Sequence, residues 1–134
     1  MRKFKFEKLV RDNIVSDMVR LGAQPKTRKL NKNEHVKELL RKLIEESKEV
    51  LSMDGDVVSE EFFKEVGDLY DIIETPIKVL NLDVNKVEEL QRAKTNKWGS
   101  FLNGDYVEFI EVDDNYPKIP YYLENSDRYP ELTK

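Results

Sequence analysis

The 134-residue chain is 39% hydrophobic and 37% charged, which fits one domain with a modest core. It has no cysteine, so disulfides, thiolate metal sites and cysteine nucleophiles are excluded. The formal net charge of −4 is unevenly spread, because residues 1–32 hold ten Lys or Arg against Glu7, Asp12 and Asp17. A basic arm on an acidic body suits nucleic acid, phosphates beside an acidic metal site, or packing on its own or a partner's acids.

In chain order, residues 8–21 place Leu9, Val10, Ile14, Met18 and Leu21 near helical spacing, and Gly22 is a stop signal. Pro25 marks the next stretch as extended. The clearest helix begins at an Asn33 cap and repeats Val36, Leu39, Leu40, Leu43, Ile44, Val50 and Leu51 at intervals of three and four. "SMDGD" at residues 52–56 ends it. Ser59 is the cap expected for a further helix, with Glu60 and Glu61 in its first turn and Pro76 expected to kink or interrupt it. Asp83 caps a last helix running to about Lys97, with Leu82 and Val87 as its hydrophobic staple. Beyond Gly99, "FLNGDYVEFIEV" alternates in the manner of a short strand or hairpin. Residues 113–134 read as an irregular acidic tail whose tyrosines need something to pack on. No apolar run is long enough for a signal peptide or membrane span, so a cytoplasmic location is expected.

The acids of the two long helices follow one pattern. At about 100° per residue from the centre of each apolar stripe, Glu46 and Glu49 fall roughly 90° and 150° to one side. Glu65 and Asp68 fall roughly 100° and 160° to the same rotational side. The short connection favours an antiparallel pair, in which Glu46 and Glu65 both stand about 8–9 Å from the turn. In one of the two possible left-right arrangements these flanks face each other, and four carboxylates converge. Unneutralised, they would raise one another's pKa, and a divalent cation relieves this. With no His or Cys among them, the ligands suit Mg²⁺ or Mn²⁺, and magnesium's habit of sharing oxygens with phosphates points to phosphate chemistry. The competing reading is a solvated acidic face neutralised by Lys42, Lys48 and Lys64.

Glu45-Glu46-x-x-Glu49 followed by Glu65-x-x-Asp68 resembles the EExxE…ExxD signature of the all-α nucleoside triphosphate pyrophosphohydrolases, the MazG superfamily. "KLVRDNI" at 8–14 and "KTNKWGSF" at 94–101 resemble the "KLVRDKI" and "K…RGGF" segments of its phosphoribosyl-ATP pyrophosphohydrolase-like branch. The similarity spans roughly residues 6–104; Val15 replaces the usual proline, and Trp98-Gly99-Ser100 replaces Arg-Gly-Gly. The resemblance implies an all-α domain over 1–134: a basic arm at 1–32, an antiparallel helical hairpin or bundle at 33–98, and a substrate-proximal segment and acidic tail at 99–134.

It also implies Mg²⁺-dependent hydrolysis of (d)NTPs to monophosphate and pyrophosphate, removing modified or surplus nucleotides, in a homodimer or homotetramer. Glu46, Glu49, Glu65 and Asp68 are the expected metal ligands, and Glu45 is a weaker ligand or a base for the attacking water. Asp71 is an outer partner or an ordinary exposed acid. Lys8, Arg11, Lys94 and Lys97 are expected on the phosphates, with Asp12 orienting Arg11, or else as ordinary surface charges. Trp98 and Phe101 stack on a base or, better, plug a helix end. His35 has no assigned role.

Two metal-site alternatives fail. An EF-hand lacks its glycine at Ser59, and a di-iron bundle needs more histidines than His35. The remaining alternative is a non-enzymatic helical module whose basic arm binds nucleic acid or an acidic partner, recognisable by salt-sensitive binding indifferent to Mg²⁺.

Overall fold

The computed structural model describes residues 1–53 and 59–132. They form five helices and no strand: α1 (Ile14–Arg20), α2 (Lys32–Ser52), α3 (Glu60–Leu80), α4 (Val84–Trp98) and α5 (Ile119–Glu124). The fold is all-α. The chain divides into two compact units, Met1–Ala93 and Lys94–Lys134, with the boundary inside α4.

The first unit is built on α2 packed against α3. The start of α2 is fixed by Asn31, two residues before the expected Asn33. Its side chain accepts from the Glu34 N–H at 2.9 Å, and the Glu34 carboxylate accepts from the Asn31 N–H at 3.1 Å. This reciprocal capping box satisfies two otherwise orphaned donors, a gain Asn33 does not offer. Ser59 caps α3 as expected, its Oγ accepting from the Phe62 N–H at 3.2 Å. Asp83 likewise receives the Asn85 N–H at 3.0 Å ahead of α4.

Pro76 does not interrupt α3, which continues to Leu80 and ends on Asn81 in the left-handed region at φ 54°. Proline removes one ladder hydrogen bond; packing along α2 holds the remainder of the helix in register. The helix expected over 8–21 is shortened to Ile14–Arg20, because residues 8–11 run outside any helix and reach toward α2 and α3. Gly22, at φ 89°, follows α1 as its stop; a side chain there would be strained by the backbone angle alone. The break expected at 52–56 lies largely outside the described residues, as do Asp54 and Asp56.

Leu39 and Ile72 are the buried apolar side chains of α2 and α3, at 5% and 7% exposure, and they form the centre of a very small core. Leu40, Ile44, Phe63, Tyr70 and Ile73, on the same two helices, are all at least half exposed.

In the second unit, the strand or hairpin expected over 101–112 is absent, and those residues are exposed and irregular. Alternation only becomes a strand when a partner accepts its backbone groups, and no strand partner exists among the described residues. The tail is more ordered than expected. Tyr116 and Tyr122 stack with centroids 6.3 Å apart, and Tyr129 packs on Tyr122 and Tyr121 at 5.1 and 5.8 Å. The tyrosines pack on one another around α5. Among the described residues, no helix is long and apolar enough to cross a membrane.

Candidate metal centre

Three of the expected carboxylates come together. Oxygens of Glu46 and Glu49 on α2 and Glu65 on α3 lie within 4.8 Å of one another. Ligand oxygens of one Mg²⁺, each about 2.1 Å from the ion, stand at most about 4.2 Å apart, a spacing close to that bound. The three differ in environment: Glu46 is buried at 7% exposure, Glu65 is half-buried and Glu49 is exposed. The site therefore has a closed side and an open side.

Charge is only partly balanced there. Lys42, one helical turn before Glu46, donates to Glu46 Oε1 at 2.5 Å, the ordinary i,i+4 pairing. Hydrogen bonding to Glu46 raises the Lys42 pKa, so this lysine stays charged. Among the described residues, one ammonium is thus hydrogen-bonded to a cluster of three carboxylates. Lys64, another of the three expected neutralisers, pairs with Glu60 at 3.2 Å instead.

Glu65 shows the consequence most directly. Its Oε2 is buried and has no hydrogen-bond partner among the described residues. Desolvation, followed by the charges of Glu49 and Glu46, pushes its pKa above the ordinary carboxylate value. A buried acceptor left without a donor is costly, and a cation placed among these oxygens would satisfy it. The donor set, all carboxylate oxygen, fits a hard divalent ion such as Mg²⁺ or Mn²⁺.

Asp68, the fourth expected ligand, is one turn along α3 and is engaged by Arg11. Nη2 of Arg11 meets Asp68 Oδ1, and Nη1 meets Asp71 Oδ2 at 2.8 Å. Arg11 is therefore oriented by Asp68 and Asp71, not by Asp12. The signal for Asp71 was its i,i+3 spacing from Asp68, which puts both acids within one guanidinium's span.

Glu45 receives a hydrogen bond from the Lys8 ammonium at 3.0 Å. That bond, with the nearby Lys42 charge, lowers the Glu45 pKa and keeps it ionised. Lys8 and Arg11 thus both end on acids of this chain. Lys94 and Lys97 belong to α4 within the second unit, where the Lys97 ammonium lies over the Trp98 ring at 4.8 Å. Trp98 and Phe101 are exposed, at 71% and 101%, so neither plugs the end of α4.

No family model, curated protein or solved structure matches the chain.

Proposed function

We propose that the chain is a Mg²⁺-dependent nucleotide pyrophosphohydrolase of the all-α, MazG-like type, converting (d)NTPs to monophosphate and pyrophosphate. The observation that carries this reading is the meeting of Glu46, Glu49 and Glu65 around the unpartnered Glu65 Oε2. Glu46 and Glu49 lie late in α2 and Glu65 early in α3, as an antiparallel hairpin requires.

Glu46, Glu49 and Glu65 would hold the ion, with Asp68 within reach once Arg11 lets it go. A bound divalent cation would offset triphosphate charge and lower the pKa of a ligated water for attack at the α-phosphorus. Glu45 would serve as a base for that water once Lys8 leaves it, because the Lys8 hydrogen bond lowers its pKa and hence its basicity. Lys8 and Arg11 supply mobile positive charge for the phosphates, and Lys94 and Lys97 remain candidates for the same role. The exposed side of Glu49 leaves substrate a way in, while the buried side of Glu46 limits competing water.

The unpartnered apolar faces of α2 and α3 support a homodimer or homotetramer, since Leu39 and Ile72 alone make a thin core for two such helices. Nucleic acid is a less suitable partner in this reading, because a module whose basic arm binds it leaves the meeting of Glu46, Glu49 and Glu65 without a role.

Glu49→Gln and Asp68→Asn test the reading. Both should abolish monophosphate and pyrophosphate release while circular dichroism shows unchanged helicity. Normal turnover by both variants contradicts it.

A further inference from the structure

The segment carrying Lys8 and Arg11 does more than sit near the acids. Leu9 and Val10 are half-buried between two exposed cations, so the chain is anchored at its middle and charged at both ends. Lys8 reaches Glu45 on α2, while Arg11 reaches Asp68 and Asp71 on α3. Four residues thereby tie together the two helices that carry the carboxylate cluster.

We propose that residues 8–11 form an electrostatic strap in which Arg11 competes with the divalent cation for Asp68, so that cation binding and release of Arg11 are coupled. The inference rests on the metal-centre reading above and adds a control to it. Asp68 is not one of the three converging carboxylates, but it lies three residues from Glu65, the spacing of neighbours on one helix face, and its charge acts on Glu65. Arg11 takes Oδ1 of Asp68, so an ion bound to the same carboxylate shares its single negative charge with the guanidinium and each weakens the other's hold. With Arg11 in place, the cation meets Glu46, Glu49 and Glu65; with Arg11 released, Asp68 completes the set.

The pairing is suited to exchange. Arg11, Asp68 and Asp71 are 54%, 41% and 62% exposed, so water can replace each partner as it leaves. Ion pairs this accessible contribute little net stability and are readily displaced. The freed guanidinium, with its planar fork of donors, is then available to a phosphate entering with the cation. By linkage, whatever Arg11 costs the cation in affinity, the cation costs Arg11 in contact with Asp68.

The test uses Mn²⁺ alone as probe, with free ion counted by electron paramagnetic resonance, on the full chain and on Arg11→Gln, Asp68→Asn and the double variant. Arg11→Gln should tighten Mn²⁺ binding about fivefold, the low end of typical coupling between sites, and this gain should vanish in the Asp68→Asn background. An equal gain in both backgrounds means that only a distant charge was removed, and overturns the strap. So does no gain in either. If Mn²⁺ binds none of the proteins, wild type included, the metal reading itself fails and the strap with it. A second measurement needs no variant at Asp68. The Arg11 Nε–H resonance, assigned by its loss in Arg11→Gln, should shift and exchange faster with water as Mg²⁺ saturates the wild type. An unmoved resonance at saturation overturns the strap.

Discussion

Glu46 and Glu65 come from different helices, yet their carboxylate oxygens lie within 4.8 Å, with Lys42 bound to Glu46 and, among the described residues, no donor for Glu65 Oε2. This imbalance makes Glu65 the residue at which stability and metal affinity oppose each other. Its folded-state pKa is raised, so the native chain binds protons here more readily than the unfolded one. Stability from this group is therefore gained as pH falls through the raised pKa, and is lost as pH rises above the unfolded value. Glu65→Gln mimics the protonated form. It should raise the melting temperature of the metal-free chain at neutral pH by a few degrees and abolish the stabilisation that Mg²⁺ gives the wild type. Differential scanning calorimetry with and without Mg²⁺ checks both; a lower melting temperature for the metal-free variant counts against the assignment.

The α2 cap gives a pH dependence of opposite sign. The hydrogen bond from Arg28, then that from the Asn31 N–H, lowers the Glu34 pKa. A depressed carboxylate contributes stability above its unfolded pKa, and that contribution disappears as pH falls through the folded value. Glu34→Gln should flatten the acid limb of the stability profile below about pH 4.5. Asn31→Ala should cost about 1 kcal/mol at neutral pH. Urea unfolding across the pH range measures both effects.

Three of the helices were legible because their stop and start chemistry is local. Ser59 and Asp83 cap the helices that follow them, and the three-four spacing of α2 and α3 marks the faces that meet. What the sequence could not disclose depends on distant partners. Residues 8–13 have helical spacing but give it up so that Lys8 and Arg11 reach acids far along the chain. The 101–112 alternation has no strand to pair with. In the site, spacing indicated that Glu46, Glu49 and Glu65 share a flank. It carried no information on which acid Arg11 would take, since nothing local joins Arg11 to Asp68.

The core is thin enough for single truncations to matter. Ile72, at 7% exposure, is one of its two apolar anchors. Ile72→Ala should destabilise by about 2–5 kcal/mol, the usual range for emptying a buried aliphatic site, whereas Ile73→Ala on the exposed side should cost much less in an isolated chain. Chemical denaturation distinguishes them. Equal losses would mean that Ile73 is buried too, by a partner.

That partner is expected to be a second copy. Sedimentation equilibrium should find a dimer or tetramer at micromolar concentration, with a melting temperature that rises with protein concentration. Phe63→Glu, placing charge on a residue 64% exposed in the single chain, should shift the equilibrium toward monomer. A monomer at every concentration leaves the α2 and α3 faces without the proposed cover.

The most direct measurement is product analysis on a panel of NTPs and dNTPs incubated with the wild-type chain and Mg²⁺. At least one should yield monophosphate and pyrophosphate in equal amounts, with no turnover when Mg²⁺ is chelated or when Glu49 is replaced by Gln. Diphosphate with inorganic phosphate, or release unaffected by Mg²⁺ and by Glu49→Gln, would contradict a pyrophosphohydrolase built on Glu46, Glu49 and Glu65.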